Sequence, residues 1–296
     1  MTTRTFDAAP STLPLMLKAA LPALPVVGGH PGVKHDGAGV PDLELVRRGV
    51  TTDPAHLAAY EEVCGFGRSD VLPTTYPHMS AFALHMALMT DTSFPFAPMG
   101  LVHLRNTITQ HRAIRPDEAF DVSVRAADLR PHPKGRLIDL VTTVTIDGDV
   151  VWDEVTTLFS RGKKGAGAET TAAPLEGVEA PDGVVQWKLK GDLGRRYGAV
   201  SGDRNPIHLY PLTAKAFGFP TNIAHGMWTK ARALAALQNR LPEAHRVDVE
   251  FKKPVLLPAT VTFGHTGAVS DTGGLVLGVK GARKPVTHLV GRVTAP

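Results

Sequence analysis

A helix-length apolar stretch followed by a run of strand-length segments occurs twice in this chain, and that repetition limits the folds open to it. Met79 to Met89 (M-S-A-F-A-L-H-M-A-L-M) has no polar stripe and predicts a buried helix, closed by Thr90, Asp91 and the region of Pro95 and Pro98. Leu101 to Gln110, Ala119 to Ala127, Leu137 to Ile146 and Val150 to Ser160 follow it, rich in Val, Ile and Thr. They predict strands, with Asp147-Gly148 as a hairpin turn. The second cycle opens with a helix over Met227 to Leu241 and continues with strands near Arg246 to Phe251, Ala259 to Val269, Gly274 to Gly281 and Thr287 to Thr294, Gly273-Gly274 taking the turn role.

The two cycles align. R-A-I-R-P-D-E-A-F-D-V-S-V (Arg112 to Val124) and K-K-P-V-L-L-P-A-T-V-T-F (Lys252 to Phe263) each carry an apolar residue two before a proline and an alternating strand after it. A buried helix followed by antiparallel strands defines an α+β unit whose sheet wraps the helix. Each unit is too small to cover its own sheet and helix, so the two are expected side by side in one continuous sheet. The expected boundaries are a first repeat over 1–161, a linker over 162–183 containing K-K-G-A-G-A-E-T-T-A-A, and a second repeat over 184–296.

Leu13 to Val27 is apolar enough to suggest a leader, but Lys18 and the prolines at 14, 22 and 25 interrupt it; a short amphipathic helix over Leu13 to Leu21 is expected, with no export and no membrane span. The 32 Lys and Arg against 28 Asp and Glu leave a net charge of +4 without a basic run, so no nucleic-acid partner is expected. The single Cys64 excludes an intrachain disulfide and a four-cysteine zinc site, and fits a reduced thiol in a cytoplasmic protein.

The densest chemistry lies in Tyr197 to His208, Y-G-A-V-S-G-D-R-N-P-I-H. A short helix over Asp192 to Val200 is expected to end at Ser201-Gly202, so that Asp203 opens a loop. Pro206 pushes Asn205 out of the α region, and Asp203 to His208 is expected extended or turned, with His208 folding back toward Asp203. A carboxylate beside an imidazole suits proton transfer near neutral pH, and Asn205 would hold water or substrate. The alternative is plain capping, since Asp and Asn before Pro commonly open helices.

The string G-D-x-N-P-I-H preceded by Y-x-x-x-S resembles the signature of the hydratase 2 family, also called MaoC-like or (R)-specific enoyl-CoA hydratases. The similarity continues through Ala214, Lys215 and Phe217-Gly218-Phe219 to Ile223-Ala224-His225-Gly226-Met227. The resemblance implies a hot-dog fold and a reversible syn hydration of trans-2-enoyl thioesters to (3R)-3-hydroxyacyl thioesters, in fatty acid metabolism. It gives Asp203 and His208 the water and gives the Gly226 N–H the thioester oxygen; a helix N-terminus has free donors and partial positive charge for that purpose. Ser201, Asn205, His225 and Tyr76 are candidates for contacting substrate, with no cofactor and no metal. The first half carries V-L-P-T-T-Y-P-H-M (Val71 to Met79) where the second has its motif, which implies a double hot-dog of the actinobacterial or eukaryotic kind, with one active site and a degenerate first half serving as a binding wall for a long acyl chain.

The thioester carrier is coenzyme A or an acyl carrier protein, and the pairs Arg195/Arg196, Lys252/Lys253 and Arg283/Lys284 are candidates for meeting either anion; their plain reading is solvated surface charge. His78 and His85 share a helical spacing without a third metal ligand in pattern and are read as packing histidines. No nucleotide-binding glycine motif or serine-hydrolase elbow occurs. Two other functions stay open: a noncatalytic acyl-thioester-binding subunit and a hot-dog thioesterase. A monomer or a homodimer fits.

Overall fold

The structure is a computed structural model, and it describes residues 1–20, 39–162 and 175–296. In chain order the elements are β1 (Thr2–Phe6), α1 (Thr12–Ala20), β2 (Leu43–Val50), α2 (Pro54–Cys64), α3 (Pro77–Met89), β3 (Leu101–Gln110), β4 (Phe120–His132), β5 (Gly135–Ile146), β6 (Asp149–Arg161), β7 (Val185–Leu189), α4 (Leu193–Ser201), α5 (Pro206–Leu209), α6 (Pro211–Ala216), α7 (Gly226–Ala235), β8 (His245–Phe251), β9 (Ala259–Thr266), β10 (Leu275–Gly281) and β11 (Thr287–Thr294).

The chain divides into two compact units, one of Met1–Val50, Ser80–Leu104 and Ala119–Ala172, the other of Thr51–Met79, Arg105–Glu118 and Ala173–Pro296. In the first, the strand order is β1-β2-β4-β5-β6-β3. In the second it is β8-β11-β10-β9-β7, to which Arg105–Gln110 of β3 adds as the antiparallel partner of β8. Without β1, the orders β2-β4-β5-β6-β3 and β7-β9-β10-β11-β8 are the same arrangement, each with its apolar helix (α3 or α7) entering between the first and second strands in sequence. The repeat read from periodicity is thus a repeat of topology.

Alternation builds the strands: Phe120, Val122, Val124 and Ala126 of β4 are buried while the residues between them are only partly so. In the second unit Val247, Val261, Phe263, Leu277, Val279 and Leu289 are buried together with Ala231 and Leu234 of α7, which packs on β10. Asp147 and Gly148 have φ of +53° and +91°, the pair of positive values that a two-residue type I′ hairpin needs.

Differences from the expected elements have local causes. Strand β4 runs past Ala127 to His132, through a register shift at Asp128, whose φ is +47°. Pro131 is tolerated because β2 pairs only as far as Arg125, leaving the proline's other edge without a ladder to break. The second apolar helix stops at Ala235 and gives way to a single tight turn over Gln238–Arg240. Helix α1 forms, but Leu13 and Leu17 are exposed, and the expected end at Leu21 lies outside the described residues, as does most of the expected 162–183 linker (163–174). Among the described residues no helix is long and apolar enough to cross a membrane.

Candidate active site

Helix α4 is short and amphipathic, and its buried residues Leu193, Gly194, Tyr197, Gly198 and Ser201 form one stripe. It ends at Gly202 with φ +73°, a left-handed stop that suits glycine. The chain then winds through hydrogen bonds of its own: the Asp203 N–H donates to Ser201 Oγ (3.2 Å) and the Asn205 N–H to Asp203 Oδ1 (3.1 Å). Asn205 caps α5, its Oδ1 accepting the Ile207 N–H at 3.3 Å, and Pro206 occupies the first helical position, where its fixed φ is an advantage. Residues 206–209 therefore form a one-turn helix, where an extended or turned segment was expected. Proline disfavours the helix only for the residue before it. The capping reading of Asn205 holds for its amide oxygen, leaving Nδ2 as the atom that could meet a ligand.

Two glycines allow this loop its position. A Cβ on Gly194 would lie 1.9 Å from the His208 carbonyl oxygen, and one on Gly198 would lie 2.8 Å from that of Asp203. Glycines four apart on the buried stripe of α4 were the sequence signal for this close approach, and only the motif residues beside them were read.

A second segment grips the loop from elsewhere in the chain. Ile223 N–H donates to Ile207 O (3.1 Å), and buried Asn222 donates through Nδ2 to His208 O (3.3 Å) and Gly191 O (3.0 Å). His208 Nδ1 lies 2.8 Å from Ile223 O. A carbonyl can only accept, so the His208 proton sits on Nδ1 and the lone pair on Nε2.

His225 comes next in the chain and caps α7 through its backbone alone, with φ −67° and ψ 140° and no side-chain bond to the helix start. The first N–H groups of α7, beginning with Gly226, thus keep their donors and the positive end of the helix dipole. A Cβ on Gly226 would meet the Phe251 ring at 3.1 Å, so the helix start is close-packed on that side. The His225 ring stacks on His208, centroids 3.7 Å apart and planes 26° from parallel, and its Nε2 lies 3.0 Å from Asp203 O. That bond puts the His225 proton on Nε2. Nδ1 is buried and has no hydrogen-bond partner among the described residues. One carboxylate oxygen of Asp203 and one ring nitrogen each of His208 and His225 fall within 4.8 Å of one another. Rings stacked so nearly parallel do not direct both lone pairs at one ion, so the trio is better suited to moving protons than to chelation.

Burial lowers the pKa of His208, opposed by the charge of Asp203 and by the bond to Ile223. Burial and the neighbouring His208 push His225 down to about 3, with Asp203 opposing. Both rings are therefore neutral near pH 7, and the 3.7 Å approach of His225 Nε2 to Asp203 Oδ2 is a contact with a neutral ring, short of an ion pair. An unfolded His225 takes up a proton near its ordinary 6.5, whereas the folded one resists down to about 3, so stability is fully present above pH 6.5 and is lost as pH falls through this window. Thermal melting followed from neutral to acidic pH should show a steeper fall for the native protein than for His225→Phe; parallel curves would contradict a neutral buried His225.

Part of the support comes from residues ahead of α3 that lie in the second unit. The Tyr76 hydroxyl is 2.9 Å from His56 Nδ1, and His56 Nε2 is 2.7 Å from Val200 O, so Tyr76 donates to His56 and His56 donates to the carbonyl end of α4. Tyr76 is buried, its pKa pushed up to about 12 by burial and the nearby Asp53 and Glu61. It is placed to brace α4 through His56. Helix α2 packs on α4 and α7, and its C-terminal carbonyls are bound from α7, Val63 O by Trp228 Nε1 (2.9 Å) and Gly65 O by Arg232 Nη1 (3.2 Å). None of these long-range partners has a sequence signal of its own.

Of the basic pairs, Arg195 donates to Leu209 O (2.9 Å) and lies over the Tyr210 ring, tying down the end of α5, while Arg196 meets Glu62 and Lys252 meets Glu250. Arg283 and Lys284 are exposed. Cys64 is buried, and burial pushes its thiol up to about 12, which keeps it in the unreactive thiol form. His85 is buried and bonds Thr142 Oγ1 at 2.7 Å.

Residues 178–269 match the family model described as a MaoC like domain. The chain is 42% identical to 3-hydroxyacyl-thioester dehydratase X of Mycobacterium tuberculosis over 96% of its own length and 98% of that protein's. The crystal structure of HtdX from M. tuberculosis superposes with a TM-score of 0.74 at 40% identity, covering 86% of this chain and all of that one. In fold alone, it is similar to an M. tuberculosis protein described as having a double hotdog fold, with a TM-score of 0.51 at 14% identity over 84% of this chain and 94% of that one.

Proposed function

The chain belongs to the MaoC-like dehydratase family, and we propose that it catalyses the reversible hydration of trans-2-enoyl thioesters to 3-hydroxyacyl thioesters, acting as a hydro-lyase. The observation that carries this reading is the Asp203–His208 pair: one ring nitrogen of His208 lies within 4.8 Å of a carboxylate oxygen of Asp203, and the Nδ1–H bond to Ile223 O leaves the lone pair on Nε2. A water about 2.8 Å from each group fits such a gap. In the hydration direction, Nε2 or the Asp203 carboxylate takes a proton from that water as its oxygen forms the bond to C3. The electron pair of the C2–C3 double bond moves toward the thioester, making an enolate whose oxygen faces the N–H of Gly226, and the pair of groups returns a proton to C2. Water and proton delivered from one pair of groups add to one face, which gives the syn course and, in this family's sense, the (3R) alcohol. Such acid–base help contributes about 10² to 10⁴ in rate, and one oxyanion donor about 10² to 10³.

Ser201 acts by fixing Asp203 through its hydroxyl, and the free Nδ2 of Asn205 is the group available to the substrate. The acyl group arrives on coenzyme A or an acyl carrier protein, and the protein works as a monomer or homodimer in the cytoplasm, in fatty acid metabolism. The repeats are 1–161 and 184–296, joined by 162–183, and the single active site belongs to the second. The reading is tested by purified protein acting on trans-2-enoyl-CoA and trans-2-enoyl carrier protein of several chain lengths. Loss of the enoyl absorbance and a 3-hydroxy product are expected, and a complete lack of turnover on both carriers would overturn it in favour of a binding subunit.

The Gly226 role has its own test. His225 already has the extended backbone that precedes proline, and a first helical position accepts proline, so Gly226→Pro removes one N–H at the helix start. A kcat reduced about 10² to 10³-fold is expected. Gly226→Ala introduces the same approach to Phe251 and keeps the donor, so its kcat should lie much nearer the native value. Equal losses in the two variants would mean that crowding against Phe251, and not the donor, matters.

A further inference from the structure

We propose that His225 is a positioning residue with two separable tasks: its ring face keeps water off one side of His208, and its Nε2–H holds the backbone of Asp203 so that carboxylate and imidazole keep their separation. The proposal rests on the hydration reading for its kinetic arm only. Ring centroids 3.7 Å apart leave no room for a water between the faces of His225 and His208, and the bond to Asp203 O crosses from the start of α7 to the loop. His225 is 3% exposed, and its Nδ1 has no partner among the described residues, so the ring is held at the cost of one bare buried nitrogen. A residue with only a packing role would avoid that cost with an apolar ring. The groups that bear on His208 are the Asp203 carboxylate from the loop, His225 from the start of α7, Tyr197 of α4 behind His225 (ring centroids 4.9 Å apart), and the Arg195 guanidinium at Leu209 O; the 222–224 segment presents an amide and carbonyls. Burial holds His225 down to about 3, so the neutral ring acts on His208 by excluding water.

Two substitutions separate the tasks. His225→Gln carries an amide N–H able to reach Asp203 O but has no ring; His225→Phe keeps a ring face and has no donor. Histidine-ring NMR titration of the full chain reads the His208 midpoint without any need for turnover, and kcat/KM against pH for enoyl-CoA hydration reads its consequence. In His225→Gln, water reaches the His208 ring, the midpoint moves to higher pH, and the acid limb of kcat/KM moves with it, because the base is lost sooner as pH falls. In His225→Phe the midpoint stays at the native value while kcat drops about tenfold or more at every pH, with KM little changed. An unmoved midpoint in His225→Gln, or an undiminished kcat in folded His225→Phe, overturns the proposal. If the native chain hydrates no enoyl thioester and the midpoints still separate as stated, the reaction is wrong and the role of His225 over His208 stands.

Discussion

Asp203→Asn and His208→Ala are each expected to reduce kcat/KM for hydration of a trans-2-enoyl-CoA by at least about a hundredfold, the low end of what an acid–base group contributes. The Asp203 variant is the cleaner, because an asparagine oxygen can still accept the Asn205 N–H that Asp203 Oδ1 holds at 3.1 Å, so the turn into α5 survives while the charge and the proton acceptor are lost. His208→Ala also removes the 2.8 Å tie to Ile223 O, and its melting temperature must be measured beside its rate. Steady-state hydration of crotonyl-CoA and of a longer enoyl-CoA by the purified variants is the measurement. Turnover near the native level in either folded variant would remove the pair from the chemistry.

The second large effect is expected at a residue that touches no substrate. Gly194→Ala would set a methyl 1.9 Å from the His208 carbonyl oxygen and 2.8 Å from its carbon, both backbone atoms with no rotamer to escape into. Helix α4 and α5 must then separate. Overpacking of this kind costs about 1 to 3 kcal/mol, against a gain of at most about 1 kcal/mol from helix propensity. Catalysis should suffer more than stability, since displacement of a reacting group by about 1 Å costs on the order of a hundredfold. Gly198→Ala, whose methyl would meet Asp203 O at 2.8 Å, should show the same effect more weakly, and Gly39→Ala, with nothing within 4 Å among the described residues, none. Denaturant melts and hydration rates of the three variants give the comparison; equal activity in Gly194→Ala and Gly39→Ala would show that the loop does not depend on that approach.

The fold was legible where burial imposes a period. The apolar run of α3 and the Val-, Ile- and Thr-rich strands β3 and β11 lie where the sequence pattern puts them, since a fully apolar helix and clustered β-branched residues keep their preference in most tertiary contexts. Strand β1, β2, β7 and helix α2 were not singled out: the strands are short or partly exposed, and the sequence of α2, with polar residues beside its buried Leu57, Tyr60, Val63 and Cys64, makes a weak stripe. At the site, the acid, amide and imidazole were readable because they sit close together in sequence. Their orientation was not. It depends on Asn222, Ile223 and His56, the last of which reaches Val200 across 144 positions, and hydrogen bonds to a distant carbonyl leave no local pattern. Tyr76 shows the limit most plainly: the residue stands out in the sequence, but the bond of its hydroxyl to His56 does not.

Helix α2 lies ahead of the first apolar helix, in the half that has no D-x-N-P-x-H string, yet Trp228 and Arg232 hold its last carbonyls, and its cap Gly65 has a left-handed φ of +78° that suits glycine. The duplication from which such a chain descends is consequently not reversible by trimming. A single copy cut back to the portion with the motif would inherit the reacting groups without the helix that α7 grips. His56, which ties Tyr76 to Val200 of α4, likewise binds residues ahead of the first apolar helix to the segment that carries the motif.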